Sequence, residues 1–204
     1  MKFIMYIFKE ISKTVRITLV LWLLTAIIYP LIVLTIGQFI FPYQANGSIV
    51  QNIQGEQIGS ALIGQQFTSD RYFRSRPSVV EYSQGTNAKT TGISGASHLA
   101  PGNPALLKRI TEEITRLKDE GIEPVTDLVY ASGSGLDPHI SIRAAREQLE
   151  RVARARGLRP DEILPFLNRF TEGRFLLIFG EPAVNVLKLN YALDLDEFNR
   201  QQNR

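Results

Sequence analysis

The chain has 204 residues, with 23 Lys and Arg against 20 Asp and Glu, a net charge of +3, and no cysteine. The missing cysteine excludes disulfides, thiolate catalysis and any Cys-based metal site. The charge excess does not mark a nucleic-acid partner. Lys2, Lys9, Lys13 and Arg16 against Glu10 supply all of it, and from residue 17 onward 19 basic residues face 19 acidic ones. A basic excess confined to one short flank is a membrane-orientation signal.

Ile17 to Phe41 contains no Asp, Glu, Lys or Arg. As a helix it reaches about 37 Å, beyond the roughly 30 Å of a bilayer hydrocarbon core. It is apolar on every side, unlike the striped helices of soluble cores. The basic flank then predicts a cytoplasmic N-terminus over 1–16, a transmembrane helix over 17–41 and an extracytoplasmic domain over 42–204. The run is too long for a signal peptide, and no small-x-small site follows it, so an uncleaved anchor is expected. Within it, Tyr29 and Pro30 predict a kink, and Gly37 and Gln38 with Thr25 suit a helix packed on other membrane helices.

Phe41-Pro42-Tyr43 reads as an interfacial exit. Ser48–Ile53 and Gln57–Ile63 around Gly55 predict a β-hairpin. Phe67–Ser78 interleaves aromatics with three arginines, which predicts a loop docking its rings on the core with its arginines in water. Residues 83–104 read as a long loop. Asn103-Pro104 starts a helix, with Leu106, Leu107, Ile110, Ile114 and Leu117 on one face and Gly121 ending it. Thr126–Ala131 reads as a short buried strand. Ser132-Gly133-Ser134-Gly135 then forms a glycine-rich turn, but it lacks the Lys-Ser/Thr and third glycine of phosphate-binding motifs.

A second helix is predicted from about Ile140 to Arg156, with Ala144, Ala145, Gln148, Leu149, Val152 and Ala153 on its buried side. Its pairs Arg143–Glu147, Arg146–Glu150, Glu147–Arg151 and Glu150–Arg154 predict a solvated ion-pair face. Pro160 starts a third helix to about Phe170, holding Pro165. Arg174–Phe179 reads as a last buried strand, and Val184–Leu195 closes the domain. The expected fold class is α+β, an extracytoplasmic domain on a single N-terminal transmembrane helix.

No catalytic constellation has a specific signature. His98 and His139 lack metal-ligand spacing. Ser132 or Ser134 with His139 and Asp137 has no nucleophile elbow.

The residues do carry a resemblance. Tyr29-Pro30, Phe41-Pro42, Ala45-Asn46-Gly47-Ser48, Gly59–Gln65, Tyr72-Phe73 and Arg76-Pro77-Ser78 form its first part. The string from Ala131 through Ser132-Gly133-Ser134-Gly135-Leu136-Asp137-Pro138 to Ser141 follows, then Gln148, Arg151–Arg156, Glu181-Pro182 and Val184–Leu187. In this order they resemble the C subunit of the Kdp potassium-transporting P-type ATPase, over roughly Thr14 to Asp194. Two strings depart from the family's pattern, and Pro165 is unusual for its helix. Ser97-His98-Leu99-Ala100-Pro101 stands where a Ser-Asn-Leu-Gly-Pro type is usual, and a common glycine is replaced around Leu176–Ile178.

The resemblance implies a non-catalytic accessory subunit of an ATP-driven potassium importer. Its partners would be a channel-like potassium-translocating subunit, a P-type catalytic subunit and the lipid bilayer, with no nucleic acid. ATP and potassium would be handled by those partners, with no cofactor held here. Neither an Asp-Lys-Thr-Gly phosphorylation motif nor a Thr-Val-Gly-Tyr-Gly filter occurs in the chain. The resemblance also implies a nucleotide contact at Gln148 and a role in promoting ATP binding by the catalytic subunit. The inferred topology opposes direct contact, because an extracytoplasmic domain cannot reach cytoplasmic ATP. The alternative is a stand-alone anchored binding or sensing domain. The bulk of the chain is expected outside the inner membrane, beside the potassium entrance.

Overall fold

A computed structural model describes residues 2–80 and 93–203; the predicted loop over 83–104 therefore lies partly outside the described residues. The chain divides into two compact units, residues 1–48 and 49–204.

In the first unit, α1 (Lys2–Trp22) runs through a π-helical turn (Leu23–Ile28) into α2 (Tyr29–Ile40). The helix thus begins well before Ile17 and takes in the basic flank. Its Phe3–Ile40 portion is long and apolar enough to cross a membrane, and no residue from Leu23 to Ile40 is buried.

Pro30 explains the π turn. In an α register its missing N–H orphans the Ala26 carbonyl and its ring collides with it. The π register instead sets the Tyr29 N–H on the Leu24 carbonyl, five residues back, so the helix continues through the proline. Thr25 Oγ1 donates to the Leu21 carbonyl at 2.8 Å and Thr35 Oγ1 to that of Leu31 at 2.7 Å. Both threonines are satisfied within their own helix. At Phe41 the backbone leaves helical geometry, and a one-turn helix, α3 (Pro42–Ala45), follows. Asn46 Nδ2 closes this end by donating to the Pro42 carbonyl at 2.7 Å and to Gln38 Oε1 at 3.2 Å.

The second unit opens with the predicted hairpin, β1 (Ile49–Gln51) antiparallel to β2 (Gln57–Ser60). Gly59 is required in it: its φ is +157°, and a Cβ there would lie 2.0 Å from Gln65 Nε2. That amide is fixed by donating to the Ile58 carbonyl at 2.8 Å.

Helix α4 (Pro104–Asp119) starts as expected, with the Asn103 side chain accepting from the Ala105 N–H, and Gly121 follows it at φ +72°. Leu117 is buried, whereas Leu107 on the predicted face is exposed.

The predicted strand at Thr126–Ala131 is instead a one-turn helix, α5 (Thr126–Val129), which buries Leu128 and Val129. Asp127 accounts for the difference, since its Oδ2 accepts the Ser141 N–H at 2.8 Å. The glycine-rich turn therefore follows a helix, not a strand, and leads into β3 (His139–Ser141).

Ser141 caps α6 (Ile142–Arg156) by accepting the Ala144 N–H, and Gly157 ends it at φ +67°. Helix α7 (Pro160–Arg169) holds Pro165 and is capped by Glu162 reaching back to the Arg159 N–H at 2.9 Å. β4 (Thr171–Glu172) and β3 both pair antiparallel with the central β5 (Ala183–Asn185). β5 runs straight into α8 (Val186–Gln202), which Asn185 caps. The core lies where α6, α7 and α8 meet this sheet, around Phe73, Ile140, Ile163, Leu167, Val184 and Leu189. Ala144, Ala145 and Ala153 are buried on α6, where small side chains let neighbours approach closely. The body is a mixed helix and sheet domain.

The second predicted strand that fails is Arg174–Phe179. It is the exposed tip of the β4–β5 connection, closed by a Phe175–Phe179 bridge. Leu176 and Leu177 sit at φ +51° and +64°, a left-handed conformation that ends any strand.

Candidate functional site

The residues singled out from sequence in the second unit gather in one place. The irregular segment 67–78 carries no strand, so its backbone groups need partners from elsewhere. Two buried amides supply them. Asn190 of α8 accepts the Phe73 N–H at 2.8 Å and donates to the Phe73 carbonyl at 2.9 Å. Gln148 of α6 does the same for Arg74, accepting its N–H at 2.8 Å and donating to its carbonyl at 3.1 Å. Each amide imitates one rung of a sheet, and together they seat Phe73 in the core.

Gln148 is 1% exposed. Its oxygen also accepts from Arg151 Nη2 at 2.9 Å and its nitrogen donates to the Ala144 carbonyl at 3.3 Å. Two acceptor and two donor positions are all that an amide has, so its capacity is spent inside the fold.

Arg151 joins the same bracket, donating to the carbonyls of Asp70 at 2.8 Å and Tyr72 at 3.0 Å. Burial, with the nearby Arg74 charge, pulls its pKa down to about 10, which leaves it protonated at neutral pH. Arg156 Nε donates to the Arg71 carbonyl at 2.7 Å, and its Nη atoms meet Asp194 at 2.7 Å and Glu197 at 3.2 Å. Its guanidinium lies 5.2 Å from the Tyr72 ring centroid. The predicted ion-pair face of α6 is thus corrected. None of its four i,i+4 pairs forms among the described residues, and Arg151 and Arg156 turn inward because backbone carbonyls and acids await them there.

The arginines of segment 67–78 also depart from expectation. Arg71 pairs with Glu197 at 2.6 Å, Arg74 with Asp70 at 2.9 Å and with Glu120, and Arg76 with Asp137 at 3.3 Å. Each is held by an acid rather than by water alone.

Arg76-Pro77-Ser78 lies along Ser132–Gly135. The Ser132 N–H donates to the Pro77 carbonyl at 2.9 Å, and Ser78 Oγ donates to the Gly135 carbonyl at 2.8 Å. Ser132 Oγ and Ser134 Oγ are 3.2 Å apart, and Ser132 Oγ accepts the Gly135 N–H at 3.2 Å. The Ser134 carbonyl accepts the Gly95 N–H at 2.9 Å. Gly135 stands at φ +71° with the Gly95 carbonyl 2.7 Å from where a Cβ would be, so two chain segments close on it. Gly133, by contrast, has open space around it. The Pro138 carbonyl accepts the Val186 N–H at 3.0 Å, tying the loop to the start of α8.

The Ser–His–acid reading gains nothing from this geometry, since the serine hydroxyls face each other and the loop backbone. His139 instead bridges two carboxylates, with Nδ1 3.6 Å from Asp137 Oδ1 and Nε2 3.1 Å from Glu172 Oε2. The Asp137 carboxylate holds the imidazole above its ordinary pKa against the opposing effect of burial, and Glu172 adds to it. Asp137 is correspondingly held low by His139. Burial raises Glu172, but Lys188 at 2.7 Å and His139 outweigh it and leave it below the usual carboxylate range. Among the described residues no group of three His, Asp or Glu is placed to hold a metal ion.

Tyr29, Pro30, Gly37 and Gln38 lie in the first unit, in or beside the π-helical turn and near the C-terminal end of α2. Asn185, Asn190, Arg151 and Arg156 were not recognised from sequence as anchoring residues. Asn190 had a readable signal, being a polar residue inside the apolar run Val184–Leu195.

The family described as KdpC, the c chain of the K+-transporting ATPase, matches residues 11–195. A Nostoc sp. protein named potassium-transporting ATPase KdpC subunit 2 is 68% identical over 195 residues, covering 96% of this chain and 98% of its own. The KdpC subunit of an Anabaena sp. is 65% identical over 200 residues, 98% of this chain and 100% of its own. That of a Synechocystis sp. is 60% identical over 181 residues, 89% and 95% of the two chains.

Proposed function

The chain belongs to the KdpC family, and on that premise we infer that it is an accessory subunit of an ATP-driven potassium-import complex, with no reaction of its own. The observation that carries the reading is a family match over residues 11–195. It meets a site whose polar groups are spent on one another. Gln148, Ser132, Ser78 and Asp137 hold segments of this chain together and present no reacting group.

The apolar helix Phe3–Ile40 serves as a membrane anchor, and the basic residues at its start place that end in the cytoplasm. Residues 42–204 then lie outside the cytoplasm, at the inner membrane. The anchor packs on the channel-like subunit at positions Tyr29, Pro30, Gly37 and Gln38, and the outer domain sits by the potassium entrance. ATP is bound by the P-type catalytic subunit. Any effect of this chain on that affinity travels through assembly or through the anchor, because Gln148 has no free hydrogen-bonding position for a nucleotide. The stand-alone sensing domain is not favoured, since relatives spanning nearly the whole chain bear the subunit name.

Truncation after Ser48 tests this. The expected result is a complex that loses potassium uptake or fails to co-purify in mild detergent. Full assembly and unchanged uptake with the anchor alone would refute the role given to the domain.

A further inference from the structure

Five consecutive apolar residues, Phe175-Leu176-Leu177-Ile178-Phe179, are 61–88% exposed at the end of the β4–β5 connection. Their stem is firmly held. Glu172 at its base bonds Lys188 and His139, and the β4–β5 pairing continues into the body. Leu176 and Leu177 are also kept in the left-handed region, where glycine would sit without strain.

Two properties of the tip indicate what covers it. First, four of its five backbone N–H groups are bonded within the loop. The N–H groups of Phe175 and Phe179 bond the carbonyls of Phe179 and Phe175 at 2.8 and 2.9 Å, that of Leu177 bonds Arg174 at 3.1 Å, and that of Ile178 bonds Phe175 at 3.2 Å. Backbone entering hydrocarbon needs this, because no water is there to satisfy it. Second, the five exposed side chains of residues 175–179 are all apolar. A groove on a protein asks for one apolar face, whereas a lipid phase accepts all sides. The domain is moreover joined to the helix Phe3–Ile40 with only residues 46–48 between α3 and β1, a connection of about 10 Å at full stretch.

We propose that residues 175–179 form a second membrane contact, inserting into the interfacial region of the bilayer leaflet that faces the folded domain. This rests on the reading of Phe3–Ile40 as a membrane anchor. The tip supplies apolar area in the manner of an interfacial anchor.

The chain has no cysteine, so single nitroxide labels can be placed without a background. Leu177→Cys, Leu34→Cys in the anchor and Leu107→Cys on exposed α4 are each labelled in the full chain in lipid nanodiscs. Collision of the label with oxygen and with a water-soluble nickel chelate is then measured. The expected result is a ratio of oxygen to nickel accessibility several-fold higher at 177 than at 107, approaching that at 34. A water-like ratio at 177 with a lipid-like ratio at 34 overturns the tip contact and leaves the anchor standing. A label at 177 shielded from both reagents places the tip in a protein groove and also overturns it. A water-like ratio at 34 removes the anchor reading and the tip contact with it.

Discussion

Gln148 and Asn190 do for segment 67–78 what a neighbouring strand would do. The consequence of removing one is steep, since a buried N–H and C=O lose their partners together and a cavity opens beside Phe73. Gln148→Ala is expected to cost about 3 kcal/mol of folding stability, read as the shift in denaturation midpoint of residues 49–204. Loss of transport in this variant should follow loss of the folded domain. A variant that keeps full stability while transport fails would restore a ligand role for Gln148. The sequence placed Gln148 on the buried side of its helix through its spacing with Ala144, Ala145 and Val152. Its partner was illegible, because Arg74 lies 74 residues away in an irregular segment.

His139 makes stability depend on pH. Its folded pKa is raised, so its contribution is complete below the ordinary histidine value of about 6.5 and is lost as pH rises through the folded value. Asp137 and Glu172 are lowered, so theirs is present above the ordinary carboxylate values of about 4 and is lost as pH falls through the folded ones. The network is therefore strongest between roughly pH 4.5 and 6.5. Thermal melts of wild type and His139→Gln should differ most in that window, and the difference should shrink as pH rises through the folded value. A difference that does not change with pH would contradict the ion-bridged histidine.

At the scale of elements, the helices α4, α6 and α7 were legible because each has a local start and apolar positions at helical spacing. Asn103-Pro104, the buried spacing of Ala144 to Ala153 ending at Gly157, and Pro160 mark them in the chain itself, although the start of α6 was placed at about Ile140 and its cap is Ser141. Two strands were misread for one reason. Thr126–Ala131 and Arg174–Phe179 each hold a short apolar run, of four and five residues, and periodicity does not separate a short buried strand from a helical turn or an apolar tip. What decides them is distant or conformational: the bond from Ser141 to Asp127 in one, two left-handed leucines in the other. The arginines of α6 failed similarly, since i,i+4 spacing cannot reveal that carbonyls of segment 70–72 compete for them.

His98, at φ +51°, is among the residue types that tolerate a left-handed backbone. Leucine tolerates it less well. Leu177→Gly should therefore stabilise residues 49–204 in water by up to about 1 kcal/mol, because the exposed side chain buries nothing there. A destabilised variant would show that Leu177 already packs on the domain.

At the scale of the molecule, a helix long enough to span a membrane is followed almost directly by a folded body whose motif residues bind one another. The membership of this chain in a potassium-transporter family gives both parts a purpose, and the direction of the helix decides what the body can touch. The proposed topology turns the folded body outward, away from cytoplasmic ATP. Protease added to intact spheroplasts tests this most directly. The account predicts that residues 49–204 are cleaved or clipped from outside while the N-terminal flank stays protected. A domain that resists protease in intact spheroplasts, and is digested only after the membrane is opened, would contradict it.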